Sequence, residues 1–256
     1  MRALLITIVV ALAGLAAPLR AQESFDPTVS ERFDQAVGAY RAGDYSSAET
    51  LWRSLLNDDL AKPDRAKVLY NLGNAAYRQD ELLESIAWYT SAVRTAPRDG
   101  EAWRNLEFAR REAELEPADR GDLGATTERL LGSLDRDEAG WLVVWFIGAW
   151  TLVLLLEAVR GGSLWRRLAL VGFPLVVFSA APLAWQVTHP SIDPVMTIER
   201  PSVSLRSEPS DERAPIGQIT AGDVVERIDE LGDWVRVVAP DGLRGWVPAD
   251  SVFELK

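Results

Sequence analysis

AKVLYNLGNAAYRQDELLESIAWYTSAVRTAPRD, residues Ala66 to Asp99, sets the helical half of the fold. Leu69, Leu72 and Gly73 lie on one face of a first helix, and Ile86, Tyr89 and Ala92 on one face of a second. Gly73 has no side chain to hold the two helices apart, the apolar positions at three- and four-residue spacing fill the seam between them, and Pro97 stops the second helix. The same template fits upstream from about Val29, with Ala36, Gly43, Asp44, Tyr45, Ala48, Trp52 and Leu55 in corresponding places. Downstream, Trp103, Asn105 and Leu106 restart it with Glu107 where glycine would stand, and this third piece reads as the polar cap that a stack of repeats needs.

These residues resemble the 34-residue tetratricopeptide repeat, with Ala76 in place of the usual aromatic and Ser85 in place of the usual alanine. The resemblance implies a stack of helical hairpins whose first helices line a concave face that receives an extended peptide or a partner's helix. Mapped onto this chain, that inner face takes Phe33, Val37, Tyr40, Arg41, Lys67, Tyr70, Asn74, Tyr77, Arg78, Arg104, Phe108 and Arg111. Five of these are basic, although residues 22–138 hold 15 Lys and Arg against 24 Asp and Glu. A basic, aromatic groove on an acidic domain points to an acidic peptide ligand. The competing reading makes these charges a solvated helix face and the tyrosines core.

Outside this region, long apolar runs of the 256-residue chain stand near 4–17, 141–159 and 168–187. The first follows Arg2 and leads to Leu19-Arg20-Ala21, which reads as a secretory signal over 1–21, or as an uncleaved anchor; on either reading Gln22 onward is exported. Trp141–Val159 covers about 29 Å as a helix, enough to cross the hydrocarbon, and Leu168–Val187 does the same. The loop between them holds Arg160, Arg166 and Arg167 and no acid, whereas Asp135, Asp137, Glu138 and Asp193 flank the pair. Basic loops stay cytoplasmic, so both soluble parts are expected outside. Trp141, Trp165 and Trp185 fall near the predicted interfaces, Glu157 is expected to pair with Arg160 or to serve a proton relay, and Pro174 and Pro182 are expected to kink the second span.

From Thr197 the hydrophobic period changes to two. Short strands follow at Val203–Arg206, Ile216–Ile219, Val224–Ile228, Trp234–Val238 and Gly245–Val247, separated by turns at Glu208-Pro209-Ser210, Ala221-Gly222-Asp223 and Pro240-Asp241-Gly242. Leu205-Arg206, Gly222, Trp234-Val-Arg-Val and Gly245-Trp246-Val247 resemble the bacterial SH3 family, which implies a small, partly open β-barrel and binding of wall peptides or glycans. On that resemblance Arg206, Trp234 and Trp246 are ligand contacts; the alternative makes the tryptophans barrel core and Arg206 a structural pair.

The expected organisation is a signal over 1–21, a tetratricopeptide domain over 22–117, a linker over 118–138, a first span over 139–159, a cytoplasmic loop over 160–167, a second span over 168–187, a linker over 188–196 and an SH3-like domain over 197–256. The fold class is thus a multidomain membrane protein joining an all-α repeat, a transmembrane hairpin and an all-β module. This order resembles the E component of the bacterial Bat aerotolerance operons, which implies neighbours of the von Willebrand A and MoxR-type ATPase kinds. With no cysteine and a single histidine, His189, no thiolate or histidine metal cluster and no Ser-His-Asp triad can be assembled. The expectation is a non-enzymatic scaffold without cofactor or nucleic-acid partner, in the bacterial inner membrane with both soluble domains periplasmic. A wall-binding anchor or sensor acting through the SH3-like domain is the alternative.

Overall fold

The computed structural model describes residues 27–118, 134, 136–188, 194–198 and 201–256. The expected signal and most of the first linker lie outside these residues. Among the described residues, five helices form the N-terminal region: α1 (Pro27–Arg41), α2 (Tyr45–Leu55), α3 (Lys62–Arg78), α4 (Leu82–Thr95) and α5 (Gly100–Glu112). Their ends follow local chemistry. The Asp44 side chain accepts from the Ser47 amide to cap α2, and Asp99 accepts from the amides of Glu101 and Ala102 to cap α5. Asp80 adopts the left-handed conformation, φ 62°, that turns the chain from α3 into α4.

Packing joins these helices into hairpins. Ala36, Ala48, Trp52, Leu55, Leu69, Leu72, Ile86, Trp88, Ala92 and Leu106 are all buried in one apolar cluster. At Gly73 the seam between α3 and α4 is tight: a Cβ placed there would stand 2.6 Å from two carbons of the Tyr89 ring. The sequence expectation for Gly73 therefore holds, and Tyr89 is the residue that demands it.

Among the described residues, two helices are long and apolar enough to cross a membrane, Arg136–Arg160 and Ser163–Thr188. The first is α6; the second is divided into α7 (Ser163–Ser179) and α8 (Ala181–Thr188), with a turn at Ala180 just before Pro182. Pro174 sits inside α7, so the expected break falls at the second proline. The two helices pack as a hairpin in which the Trp150 indole donates to the Ala169 carbonyl at 2.9 Å and lies 5.8 Å from Phe173. Apolar side chains such as Val159, Leu170, Val171 and Phe178 are exposed. At the tip Glu157 pairs with Arg166, at 3.5 Å, where the sequence suggested Arg160; the turn through Gly161 and Gly162 brings the second helix's arginine back alongside. At the other end Arg98 holds Glu138 with two hydrogen bonds of 3.0 and 3.2 Å, tying the loop before α5 to the start of α6.

The C-terminal region is strand-rich. A five-stranded antiparallel sheet has the order β6-β5-β4-β1-β7, with β1 Pro194–Thr197, β4 Val224–Leu231, β5 Trp234–Val238, β6 Arg244–Pro248 and β7 Val252–Glu254. A second pair, β2 (Ser202–Leu205) and β3 (Gly217–Thr220), joins it through a bridge between Arg206 and Trp246. Strand β1 starts three residues before the change of period at Thr197, inside the stretch read as linker. Its first residue is a proline, tolerated at a strand's start, and Pro-Val-Met-Thr is too short to show alternation. The core between the sheets is aliphatic, built from Val195, Val203, Leu205, Ile219, Val225, Val235, Val237, Ala239 and Val247.

Gly73→Ala is expected to destabilise the helical region by about 1–3 kcal/mol, because the new methyl must displace a buried ring. Native-state hydrogen exchange of the full chain should show lost protection in α3 and α4 and none in β4–β6; equal protection in wild type and variant would remove the tight seam from this account.

Candidate functional site

The inner face of the helical region is built from α1, α3 and α5. On α3, Tyr70, Asn74 and Tyr77 follow one another at three- and four-residue spacing and so share a face. Asn74 is the hub of the hydrogen bonding: its Oδ1 accepts from the buried Tyr89 hydroxyl at 2.7 Å and from Asn105 Nδ2 at 3.3 Å, and Asn105 Nδ2 also donates to the Tyr70 oxygen at 3.0 Å. Next along the groove, the Tyr77 ring meets the exposed Phe108 edge-on at 5.8 Å. Arg78 donates to the Tyr40 oxygen at 3.4 Å.

The structure thus brings Tyr40 to Arg78, and Tyr77 to Phe108, across helix boundaries. Arg41, Arg104 and Arg111 are exposed, and Lys67 pairs with Asp64 at the start of α3. Phe33 and Tyr40 also face inward onto Trp52, at 6.3 and 5.8 Å, and Val37 packs against the same core.

Sequence reasoning missed Glu101 and Glu112. Glu101 accepts from the Tyr70 hydroxyl at 3.1 Å and Glu112 from the Tyr77 hydroxyl at 2.8 Å. Their spacing from Asn105 and Phe108 on α5 places all four on one helical face, and that signal was available. These two carboxylates mix negative charge into a face that the basic residues alone would make positive. The Tyr77 phenol is held above its ordinary pKa, first by its hydrogen bond to Glu112; burial does the same for Tyr70 and, more strongly, for Tyr89.

Away from this face, Glu49, Glu81 and Glu84 bring carboxylate oxygens within 4.8 Å of one another, with Glu81 exposed. Arg53 bridges Glu49 and Glu84, and Gln79 donates to Glu49 at 2.6 Å, so protein groups already answer this charge. Burial, then Glu84 and Glu49, push the Glu81 carboxyl upward.

On the β region, register and alternation put Trp234 and Arg236 of β5 on the same side as Trp246 and Pro248 of β6, with Trp234 opposite Pro248 and Arg236 opposite Trp246. The Arg236 guanidinium lies 5.9 Å from the Trp246 ring centroid. Both tryptophans are half-buried and neither belongs to the aliphatic core. Arg206 turns elsewhere: it donates to the carbonyls of Asp211 and Arg213 and pairs with the Asp211 carboxylate, pinning the loop after β2.

Residues 33–100 match the family model of the tetratricopeptide repeat, and residues 201–253 match that of the bacterial SH3 domain. The chain carries both modules. No curated protein matches it. Tetratricopeptide repeats mediate protein–protein interaction, the bacterial SH3 domain suggests cell-wall binding, and both are typically non-catalytic.

Asn74→Ala leaves the buried Tyr89 hydroxyl without its acceptor and should cost about 1–3 kcal/mol. Asn74→Asp keeps an acceptor at that place and should lose less. Denaturant unfolding of the full chain, followed by Trp fluorescence, measures both; equal midpoints for wild type and Asn74→Ala would take the hub role from Asn74.

Proposed function

We propose that this chain is a non-enzymatic scaffold of a bacterial envelope, anchored in the inner membrane by the α6–α8 hairpin. Its repeat groove docks protein partners and its SH3 module faces the wall from the same, extracytoplasmic, side. The observation that carries this reading is the direct contact of the two modules across the hairpin, with the Phe253 ring 4.8 Å from that of Trp88. Modules that touch must lie on one side of a membrane, which a hairpin of two crossings allows. The arginine-rich tip, Arg160, Arg166 and Arg167, supports a cytoplasmic position for the loop.

The order of modules fits a Bat-like complex, with von Willebrand A proteins and a MoxR-type ATPase as the partner classes. Aromatic faces at Tyr40, Tyr77 and Phe108 and exposed cations at Arg41, Arg104 and Arg111 suit a segment that brings both acidic and apolar side chains. A second reading, a peptidoglycan-binding anchor, is favoured by the tryptophans outside the β core: Trp234 and Trp246 are partly exposed on one side of the sheet, where an indole can stack on a sugar or a wall peptide.

Three experiments test these readings. Reporter fusions after residue 138 and after Lys256 should score as extracytoplasmic and a fusion at Gly162 as cytoplasmic; a cytoplasmic C-terminus would overturn the arrangement. Membrane partners should co-purify with wild type at low salt and be lost from Arg78→Glu/Arg104→Glu, and binding should weaken as the Debye length falls from about 10 Å at 0.1 M to about 3 Å at 1 M. Partners retained in every condition would remove the groove as the docking surface. Sedimentation with purified peptidoglycan that is equal for wild type and Trp234→Ala/Trp246→Ala would count against the wall reading.

A further inference from the structure

The repeat stack and the SH3 module share a core. Met196 of β1 is fully buried in the same apolar cluster as Trp88 and Ala92 of α4, while its neighbour Val195 points into the β core. Strand β1 therefore serves two cores with alternate side chains. Ile198, Phe253 and Leu255 pack onto the helical cluster beside Met196. The Trp88 ring is held between two groups, the Arg53 guanidinium at 4.9 Å and the Phe253 ring, nearly perpendicular at 83°. The Lys256 amide donates to the buried Ser91 hydroxyl oxygen at 3.1 Å.

A second attachment lies at the end of α5. Arg110 is 9% exposed, and a buried guanidinium needs acceptors. It donates through Nε to the Glu116 carbonyl at 2.6 Å and through Nη1 to the Gly222 carbonyl of the SH3 module at 3.1 Å. Gly222 has φ +81°, and a Cβ there would collide with Leu115. Only glycine lets this β turn lie beneath Leu115 and present its carbonyl to Arg110.

We propose that the SH3 module is the structural brace of the repeat stack: it covers the flank of α4 and grips the end of α5, and so sets the position of the groove wall that carries Asn105, Phe108 and Glu112. The strand order permits this without blocking either recognition face. The dock uses β1, β7 and the turn before β4, at one end of the sheet, while Trp234 and Trp246 stand on β5 and β6 at the other. The two recognition faces are then held in one fixed relation, whatever each of them binds.

The chain contains no cysteine, so an engineered pair reports cleanly on the dock. Ser91→Cys/Lys256→Cys in the full chain, oxidised in native membranes, should close a disulfide within one chain. Failure to cross-link, or a disulfide joining two copies, would overturn the brace within the chain. Hydrogen exchange on the full chain then reads the effect on the groove: Phe253→Asp and Arg110→Met should each lower protection of the α5 amides by about tenfold or more while α1 and α2 keep theirs. This holds even where Phe253→Asp also unfolds the β module, since an unfolded brace cannot hold α5. Unchanged α5 protection in both variants would contradict the proposal.

Discussion

Helix α4 is buried on nearly every side, and the arrangement of the soluble parts depends on that. Ser85, Ile86, Ala87, Trp88, Tyr89, Ser91, Ala92 and Val93 are all buried, which no helix with only one covered face achieves. One side is closed by α3, where Gly73 admits the Tyr89 ring, and another by the SH3 module, where Phe253 meets Trp88. Adjacent residues of one helix thus serve the groove and the dock: Tyr89 reaches Asn74, and Trp88 reaches the β module. The apolar surface of α4 would lie open to solvent if either neighbour were absent, so the driving force for helix packing and that for module docking are one burial term.

The same contact constrains how the chain can lie about a bilayer. The apolar hairpin separates the two modules in sequence, yet their side chains interdigitate, and Arg98 ties the stack to Glu138 at the start of α6. On the scaffold reading the stack then sits close to the membrane surface. Its groove and the tryptophan face of the SH3 module become two addresses on one body, which suits a protein that must hold partners in place.

Much of this was legible in the sequence because it is written in short-range patterns. Gly73 among Leu69 and Leu72 and the two apolar runs each declare a local physical need that the structure meets. The strands from Val203 to Val247 were likewise readable from alternation. What escaped depends on pairing between distant residues. Strand β1 is short and opens on proline, so its place in the middle of the sheet, between β4 and β7, is visible only once those strands are assembled. The spacing of Glu101 and Glu112 marks the face they share with Asn105 and Phe108, but that Tyr70 and Tyr77 donate to them shows only in the fold. The tryptophans of the β module were ambiguous between core and surface, and register decides that they share the outer side with Arg236 and Pro248. Arg110 and Gly222, separated by more than a hundred residues, carry no mutual signal in one sequence.

The central claim is that both modules form one body beside the hairpin, and the most direct measurement is a distance within the intact chain in a lipid bilayer. Spin labels placed through Arg111→Cys at the end of the groove and Asp241→Cys in the turn between β5 and β6 occupy exposed positions in an otherwise cysteine-free protein. Pulsed dipolar spectroscopy should return a single narrow distance distribution, as two labels on one rigid body do. A broad distribution, of the kind produced when two domains are joined only by flexible linkers, would contradict the account.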